Sequence, residues 1–263
     1  MTALAYTITD SATMLRRNLR RLIRYPSLTL IVIGMPLVFL LLFVYVFGGT
    51  LGAGLGGVSG GRGAYVNYVA PGIILLTVAA VAQGTAISVA MDMTEGIIAR
   101  FRTMAISRAS VLTGHVLGSM IQAMLSIAVV IGVALLTGFR PTAAPLAWMA
   151  AIGVLAMITF ALTWLCVALG LAAKTVETAS NSPMFLILLP FLGSGFVPTH
   201  SMPTGLRWFA EYQPFTPATE TLRGLLTGTP IGNHAIITMA WSASIAPLAY
   251  LWAKRLFNRD PAR

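Results

Sequence analysis

The residues able to do covalent chemistry are few and scattered. Gly193-Ser194-Gly195, with His200 close behind, faintly resembles the surroundings of a serine nucleophile, but the flanking residues do not complete such a motif. An intramembrane hydrolase using Ser194 therefore stands only as a minor alternative. Gly52, Gly54 and Gly57 have the spacing of a dinucleotide-binding turn. No strand precedes them, and the next acid, Asp92, lies far beyond the expected spacing of about 20 residues. There is no Gly-x-x-x-x-Gly-Lys-Ser/Thr run and the lysines are Lys174 and Lys254 alone, so this chain cannot cradle ATP phosphates in a P-loop. No His-Glu-x-x-His or Cys/His cluster occurs, and no bound metal or other cofactor is expected. The single Cys166 excludes an intramolecular disulfide and reads as a packing residue. No catalytic site emerges.

The chemistry of ion-coupled transport is thin as well. Carriers driven by protons or sodium place acids or lysines within the bilayer, where a titrating or ion-binding group must sit. The long apolar intervals of this chain hold no acid; their most polar members are Gln83, Gln122 and His115. Gln83 and Gln122 are the expected lining of a substrate path. A secondary transporter with a carbonyl-built ion site remains an alternative.

The elements that must position these residues are set by composition. Hydrophobic residues make up 57% of the chain and charged residues 9%, well outside the balance of a soluble domain. Intervals free of charge run from Tyr25 to Gly61, Gly63 to Met91, Ala109 to Phe139, Pro141 to Ala173, Thr178 to Leu206 and Gly224 to Ala253. Each exceeds the roughly 20 residues that cross a hydrocarbon core. The expected fold is an all-α integral membrane protein with six transmembrane helices in a single domain over residues 1–263. The fifth interval is the least regular, because its dense apolar part, Met184 to Val197, is short and contains Pro190. A true crossing is preferred there over a re-entrant loop, since only a crossing keeps the basic C-terminal run beside the other cations. With both termini, segment 92–108 and segment 173–181 on one side, the other side keeps only Arg62, Arg140, Arg207 and Arg223 of the seventeen Lys and Arg. The positive-inside rule makes the first side cytoplasmic. The net charge of +10 thus reads as contact with anionic lipid and not with nucleic acid. Fifteen arginines against two lysines, with abundant Ala and Gly, fit a bacterial source and its inner membrane.

Three segments outside the intervals carry pattern. Over residues 10–25, Leu15, Leu19, Leu22 and Ile23 cluster on one face of a helical wheel while Arg16, Arg17, Arg20, Arg21 and Arg24 fill the opposite arc. This is an amphipathic helix expected to lie in the cytoplasmic interface. The Gly-rich run from Gly48 to Gly63 reads as a flexible external loop. Residues 198–232 read as two short external helices that dip back toward the membrane. Thr216 would cap the second, Pro217 would sit in its first turn and Gly228 would end it. Trp208, Phe209, Tyr212 and Phe215 there supply an interfacial aromatic set, and Gln213, Pro214 and Arg223 its polar and rigid positions.

Segment 92–108 is a compact charged island between two oily runs. With Ile97 as origin, Ile98, Phe101, Met104 and Ala105 share one face while Glu95, Arg100 and Arg102 lie on the rest. So short an amphipathic helix needs a partner to cover it. Both ends join expected spans, so force applied here would move them. A chain with neither an ATP site nor an ion site must take its work from outside.

Glu95-Gly-Ile-Ile-Ala-Arg-Phe-Arg-Thr-Met-Ala-Ile-Ser-Arg108 resembles the Glu-Gly-x-x-x-Arg-Phe-Arg-x-x-Pro-x-x-Arg segment of ABC-2-type permeases, specifically the daunorubicin-resistance-like drug exporters. The run from Phe196-Val-Pro through Met202-Pro, Gln213-Pro-Phe-Thr-Pro and Leu222-Arg-Gly-Leu-Leu to Gly228 resembles that family's last external loop. Ala105 stands where the family usually has proline. The resemblance implies that residues 10–25 are the interfacial connecting helix. It likewise implies that the island is a coupling helix, on which Glu95, Ile97, Arg100, Phe101, Arg102 and Met104 dock a separate ATP-binding subunit. It further implies two such subunits, which bind the ATP and Mg, paired with two permease copies, here expected as a homodimer. The implied activity is export of amphipathic drug-like or lipid-like molecules. Export of a lipid-linked polysaccharide by the same fold is the alternative.

Overall fold

The computed structural model describes the backbone of residues 3–24, 26–54, 61–96 and 108–258, and every regular element among them is helical. Helix α1 (Ala3–Arg24) precedes α2 (Pro26–Leu42), which runs through a π-helical stretch, Phe43–Phe47, into α3 (Gly48–Gly54). Then come α4 (Arg62–Thr94), α5 (Arg108–Leu136) and α6 (Pro145–Ala172). The short helices α7 (Val176–Asn181), α8 (Met184–Leu188), α9 (Thr204–Tyr212) and α10 (Phe215–Thr227) follow, and α11 (His234–Asn258) closes the order.

Among the described residues, five stretches are long and apolar enough to cross a bilayer: Leu30–Ala53, Arg62–Thr94, Ser110–Leu136, Pro145–Ala172 and His234–Asn258. They match five of the six charge-free intervals. The remaining one, Thr178 to Leu206, does not form one helix. Pro183, Pro190, Gly193 and Gly195 divide it into α7, α8 and a run of turns, as expected where proline removes donors and glycine weakens the helix.

Helix α4 is the axis. Residues 69–79 of it are buried on every face, because α2, α5, α6 and α10 all pack around it. At 33 residues it is about 50 Å long, more than the hydrocarbon layer requires. We call the end carrying Thr94 the lower end. The divided segment climbs beside α4 from there: Gln83 Nε2 donates to Ser180 O at 2.7 Å, and higher up a Cβ placed on Gly72 would stand 2.5 Å from Gly195 O. The two glycines let the backbones touch. From that level α10 continues upward, and Thr142 N donates to Leu226 O at 2.9 Å beside the α5–α6 connection. Phe257 near the end of α11 returns to pack in one cluster with Val111 and Leu112 at the start of α5.

The expected glycine loop begins later than its composition implied. Gly48 to Gly54 continue the first long helix, with Gly48 buried against Tyr65 and Arg62. Beside a packed neighbour, closing backbone hydrogen bonds outweighs glycine's weak helix propensity.

Candidate functional site

A cavity of about 620 Å³ opens in the lower half of the bundle, between α1, α2, α4, α5 and α8. Ile31, Val32, Met35 and Val38 of α2 make an apolar wall, and Asn18, Gln83, Ser119 and Gln122 face it from the other helices. The two glutamines singled out from sequence thus reach one space, with His115 at its margin. Above it the bundle closes. Leu40, Val44, Ile73, Ile74, Leu76 and Leu186 are each at most 2% exposed. Phe191 stacks on Phe196 at 4.4 Å, with Phe43 at 4.6 Å from Phe196.

At the cavity's lower margin sits a buried charge cluster. Asp92, in the last turn of α4, is 2% exposed. Its carboxylate is paired with Arg17 of α1 and lies 3.1 Å from Nε2 of His115 on α5. The sequence reading put Asp92 in the charged island and Arg17 on the headgroup-facing arc of α1. The structure corrects both. A carboxylate withdrawn from water needs a partner, and Arg17 turns inward to supply it, whereas Arg16, Arg20 and Arg24 are exposed as expected. The side chain of Arg21 lies outside the described residues.

Glycines fix α1 in place. A Cβ on Gly114 of α5 would stand 2.5 Å from the Cβ of Met14, and one on Gly118 would stand 3.1 Å from the Cβ of Asn18. This small-residue seam, four residues apart on one face, is how helices approach closely where lipid provides no hydrophobic drive. Helix α1 is therefore a packed part of the bundle as well as an amphipathic surface element. Its start at Ala3 precedes the expected boundary.

Glu95 follows the last residue of α4 and is exposed. Ile97, Arg100, Phe101, Arg102 and Met104 lie outside the described residues, as does Ala105.

In the upper half, α9 and α10 follow one another across Gln213 and Pro214. Trp208, Phe209 and Tyr212 are exposed on α9, with the Trp208 and Tyr212 rings 5.7 Å apart. Phe215, expected at the interface, is instead 2% exposed and packs into the main apolar core; Pro217 is buried and Pro214 half-buried. Thr216 does not cap α10 as expected. Its Oγ1 accepts from Ser194 N at 3.2 Å, while Gln213 takes the capping role through Oε1, which accepts from Phe215 N at 3.0 Å. Gly228, at φ 76°, ends the helix. Arg223 is 6% exposed. It donates to Tyr68 O at 3.1 Å and Ser194 O at 2.8 Å, pairs with Glu220 at 2.5 Å, and lies over the Tyr68 ring. It ties α10, α4 and the divided segment together. The sequence marked Arg223 as a loop position; only the fold shows it buried.

Ser194 Oγ is buried with no hydrogen-bond partner among the described residues. No described group of His, Cys, Asp or Glu could hold a metal ion.

Residues 10–227 match the family model described as ABC-2 type transporter. The chain is 28% identical over 251 residues to a daunorubicin resistance ABC transporter permease protein, DrrB1, of Streptomyces coeruleorubidus, covering 94% of this chain and 86% of the relative. It is 25% identical over 160 residues to the probable doxorubicin resistance ABC transporter permease protein DrrC of Mycobacterium tuberculosis, covering 61% of this chain and 58% of that protein.

Proposed function

The chain belongs to the ABC-2 type transporter family, and from that membership we propose that it is the membrane-spanning permease of an exporter for amphipathic, drug-like or lipid-like molecules. The family implies an ATP-binding partner subunit, in keeping with the absence of a P-loop in this chain. In this reading two such subunits, loaded with ATP and Mg, dock on segment 92–108 of two permease copies in a bacterial inner membrane, with the termini cytoplasmic. The divided segment and α10 together make the sixth passage.

The observation that carries the reading is the cavity. Its volume of about 620 Å³ falls in the range of drug-sized sites. It lies in the half of the bundle that ends in segment 92–108 and is closed above by packed side chains, the shape of a state open toward the cytoplasm. The relatives' names, which speak of daunorubicin and doxorubicin resistance, favour amphipathic cargo. A pathway for lipid-linked polysaccharide calls for aromatic or basic lining, and the described lining has neither apart from His115.

Work enters where Glu95 to Met104 meets the ATPase. Drawing the two ATPase subunits together pushes the end of α4, and Asp92 passes the motion to α1 through Arg17 and to α5 through His115. Those helices wall the cavity, so it narrows and its contents are forced upward. Replacing Phe101→Ala together with Arg102→Ala is expected to abolish co-purification with the ATP-binding subunit while the permease still reaches the membrane. Undiminished co-purification would refute docking at this segment.

A further inference from the structure

Resting on the cavity as the cargo site, we propose that the rings of Phe43, Phe191 and Phe196 are the outer gate of the cargo passage, and that the π-helical stretch is the joint that carries Phe43 away to open it. The cavity and the ring cluster share two walls. Val38 of α2 and Ile187 of α8 line the cavity. Phe39 follows Val38 directly, and Phe191 stands four residues beyond Ile187. Above the cavity Phe39 meets Phe191 edge-on at 5.3 Å, Phe191 stacks on Phe196 with 3° between the ring planes, and Phe43 lies 4.6 Å from Phe196 and 6.3 Å from Phe191. The rings therefore close the seam between α2 and the divided segment where the cavity ends.

The two sides of this seam are held differently. The divided segment is pinned beside Phe196: Gly195 lies backbone to backbone against Gly72, the Tyr65 hydroxyl donates to Phe196 O at 3.2 Å, and Arg223 donates to Ser194 O at 2.8 Å. These ties lead to α4 and α10. On the other side, α2 and the π-helical stretch pack on α4, with Leu40 and Val44 in the common apolar core at 0% exposed. Phe39 and Phe43, one position earlier in each turn, reach the divided segment with their rings. Leu40 and Val44 thus form a pivot about which Phe39 and Phe43 can swing out of the seam.

The backbone is weakened at both ends of that moving leaf. Pro36, four residues before Leu40, lacks the N–H that would complete the helical ladder. The stretch Phe43–Phe47 closes its hydrogen bonds five residues apart instead of four. Sharp bends in helices occur at such points. Returning the stretch to α geometry turns the helix below it relative to the helix above by about 100°, one residue's share of a 3.6-residue turn. Phe43 sits at the joint itself, while Arg62 lies over the ring of Tyr45 at 5.3 Å and steadies its far side. The contacts to be broken are between apolar rings, so parting them leaves no polar group unpaired. Trading them for contacts with cargo is what a gate on an apolar passage requires.

The test uses the permease with its ATP-binding subunit in phosphatidylcholine nanodiscs, at rest and trapped with ATP and vanadate. Spin labels go on cysteines at exposed positions outside the ring cluster: Leu41→Cys on α2, Leu192→Cys on the divided segment and Ala64→Cys near the start of α4. Cys166 is buried and takes no label. Labelled permease is diluted with unlabelled copies, so that pulsed electron resonance reads distances within one chain. Trapping should lengthen the distance between positions 41 and 192 by about 4 Å or more, the thickness of one further layer of atoms in contact, and leave that between 64 and 192 unchanged. No change between 41 and 192 overturns the gate, and a lengthening between 64 and 192 overturns α2 as its moving leaf. Deleting Val46 removes the surplus residue of the π-helical stretch and should abolish the lengthening; a deletion variant that still opens overturns the joint. Nile red binding tests the cavity separately. The parent chain should bind this neutral amphiphile saturably, and Gly34→Trp, placed in the cavity lining, should weaken binding at least about tenfold. If Gly34→Trp loses binding and the labels do not part, the gate falls and the cavity reading stands. If the parent binds no Nile red, or Gly34→Trp binds it undiminished, the cavity is not the cargo site and the gate falls with it.

Discussion

Replacing Arg17→Met keeps most of the side chain's stem and removes the charge that faces Asp92. Breaking a fully buried ion pair from one side typically costs 3–5 kcal/mol, because a charge is left without compensation. Here the side chain of Arg17 is 32% exposed and that of Asp92 3%, and His115 still faces the carboxylate, so about 2 kcal/mol is the reasonable expectation. The opposite change should cost less. In Asp92→Asn the half-buried guanidinium of Arg17 can turn toward water, and the amide oxygen still accepts from His115. Arg17→Met with Asp92→Asn should recover most of the loss, since no buried charge remains. For a chain of this size 1 kcal/mol corresponds to roughly 2–4 °C, so Arg17→Met should lower the apparent unfolding midpoint in nanodiscs by about 4–8 °C. Tryptophan fluorescence on heating reads it. Two results would refute the reasoning: Asp92→Asn at least as damaging as Arg17→Met, or a double variant showing the sum of both losses.

Other expectations follow from close contacts. Gly72→Ala places a Cβ 2.5 Å from the backbone of Gly195 and should lower stability by about 1–3 kcal/mol. Gly34→Ala, with open space around it, should be neutral or stabilising by up to about 1 kcal/mol; heating both in parallel checks the pair. Arg223→Lys keeps the charge but cannot span Tyr68 O, Ser194 O and Glu220 with one planar fork. Limited proteolysis should then cut the α8–α10 region faster than in the parent, with α4 to α6 unaffected. Gly114→Leu drives a side chain into Met14 and should detach α1, raising the reactivity of a cysteine placed at position 18 toward a water-soluble maleimide.

The long helices were legible because lipid permits few solutions. Wherever a charge-free run lacked clustered helix breakers, a helix formed within a few residues of the expected ends, as with Arg108–Leu136 and Pro145–Ala172. The divided segment was foreshadowed by Pro190, but its route depends on Gly72 meeting Gly195, a contact between residues far apart in sequence that periodicity does not encode. Gln83 and Gln122 stood out as rare polar groups in oily runs, and the fold brings both to one cavity. Asn18 did not stand out, since a lone asparagine on a basic amphipathic helix looks like any solvated position. Asp92 and Arg17 were misassigned for a related reason. Asp92 sits at the edge of the charged island and Arg17 within the arginine run of α1, and only the packing of α1 on Gly114 and Gly118 shows that they face one another.

The central claim is that this permease does no uphill transport by itself. Its most direct test is cargo accumulation in sealed proteoliposomes, measured for the purified chain alone and with its ATP-binding subunit, each with ATP and with imposed proton and sodium gradients. Accumulation should appear only with the subunit and ATP together, and no ion gradient should replace them. Sustained accumulation by the chain alone, under any gradient, would contradict the account.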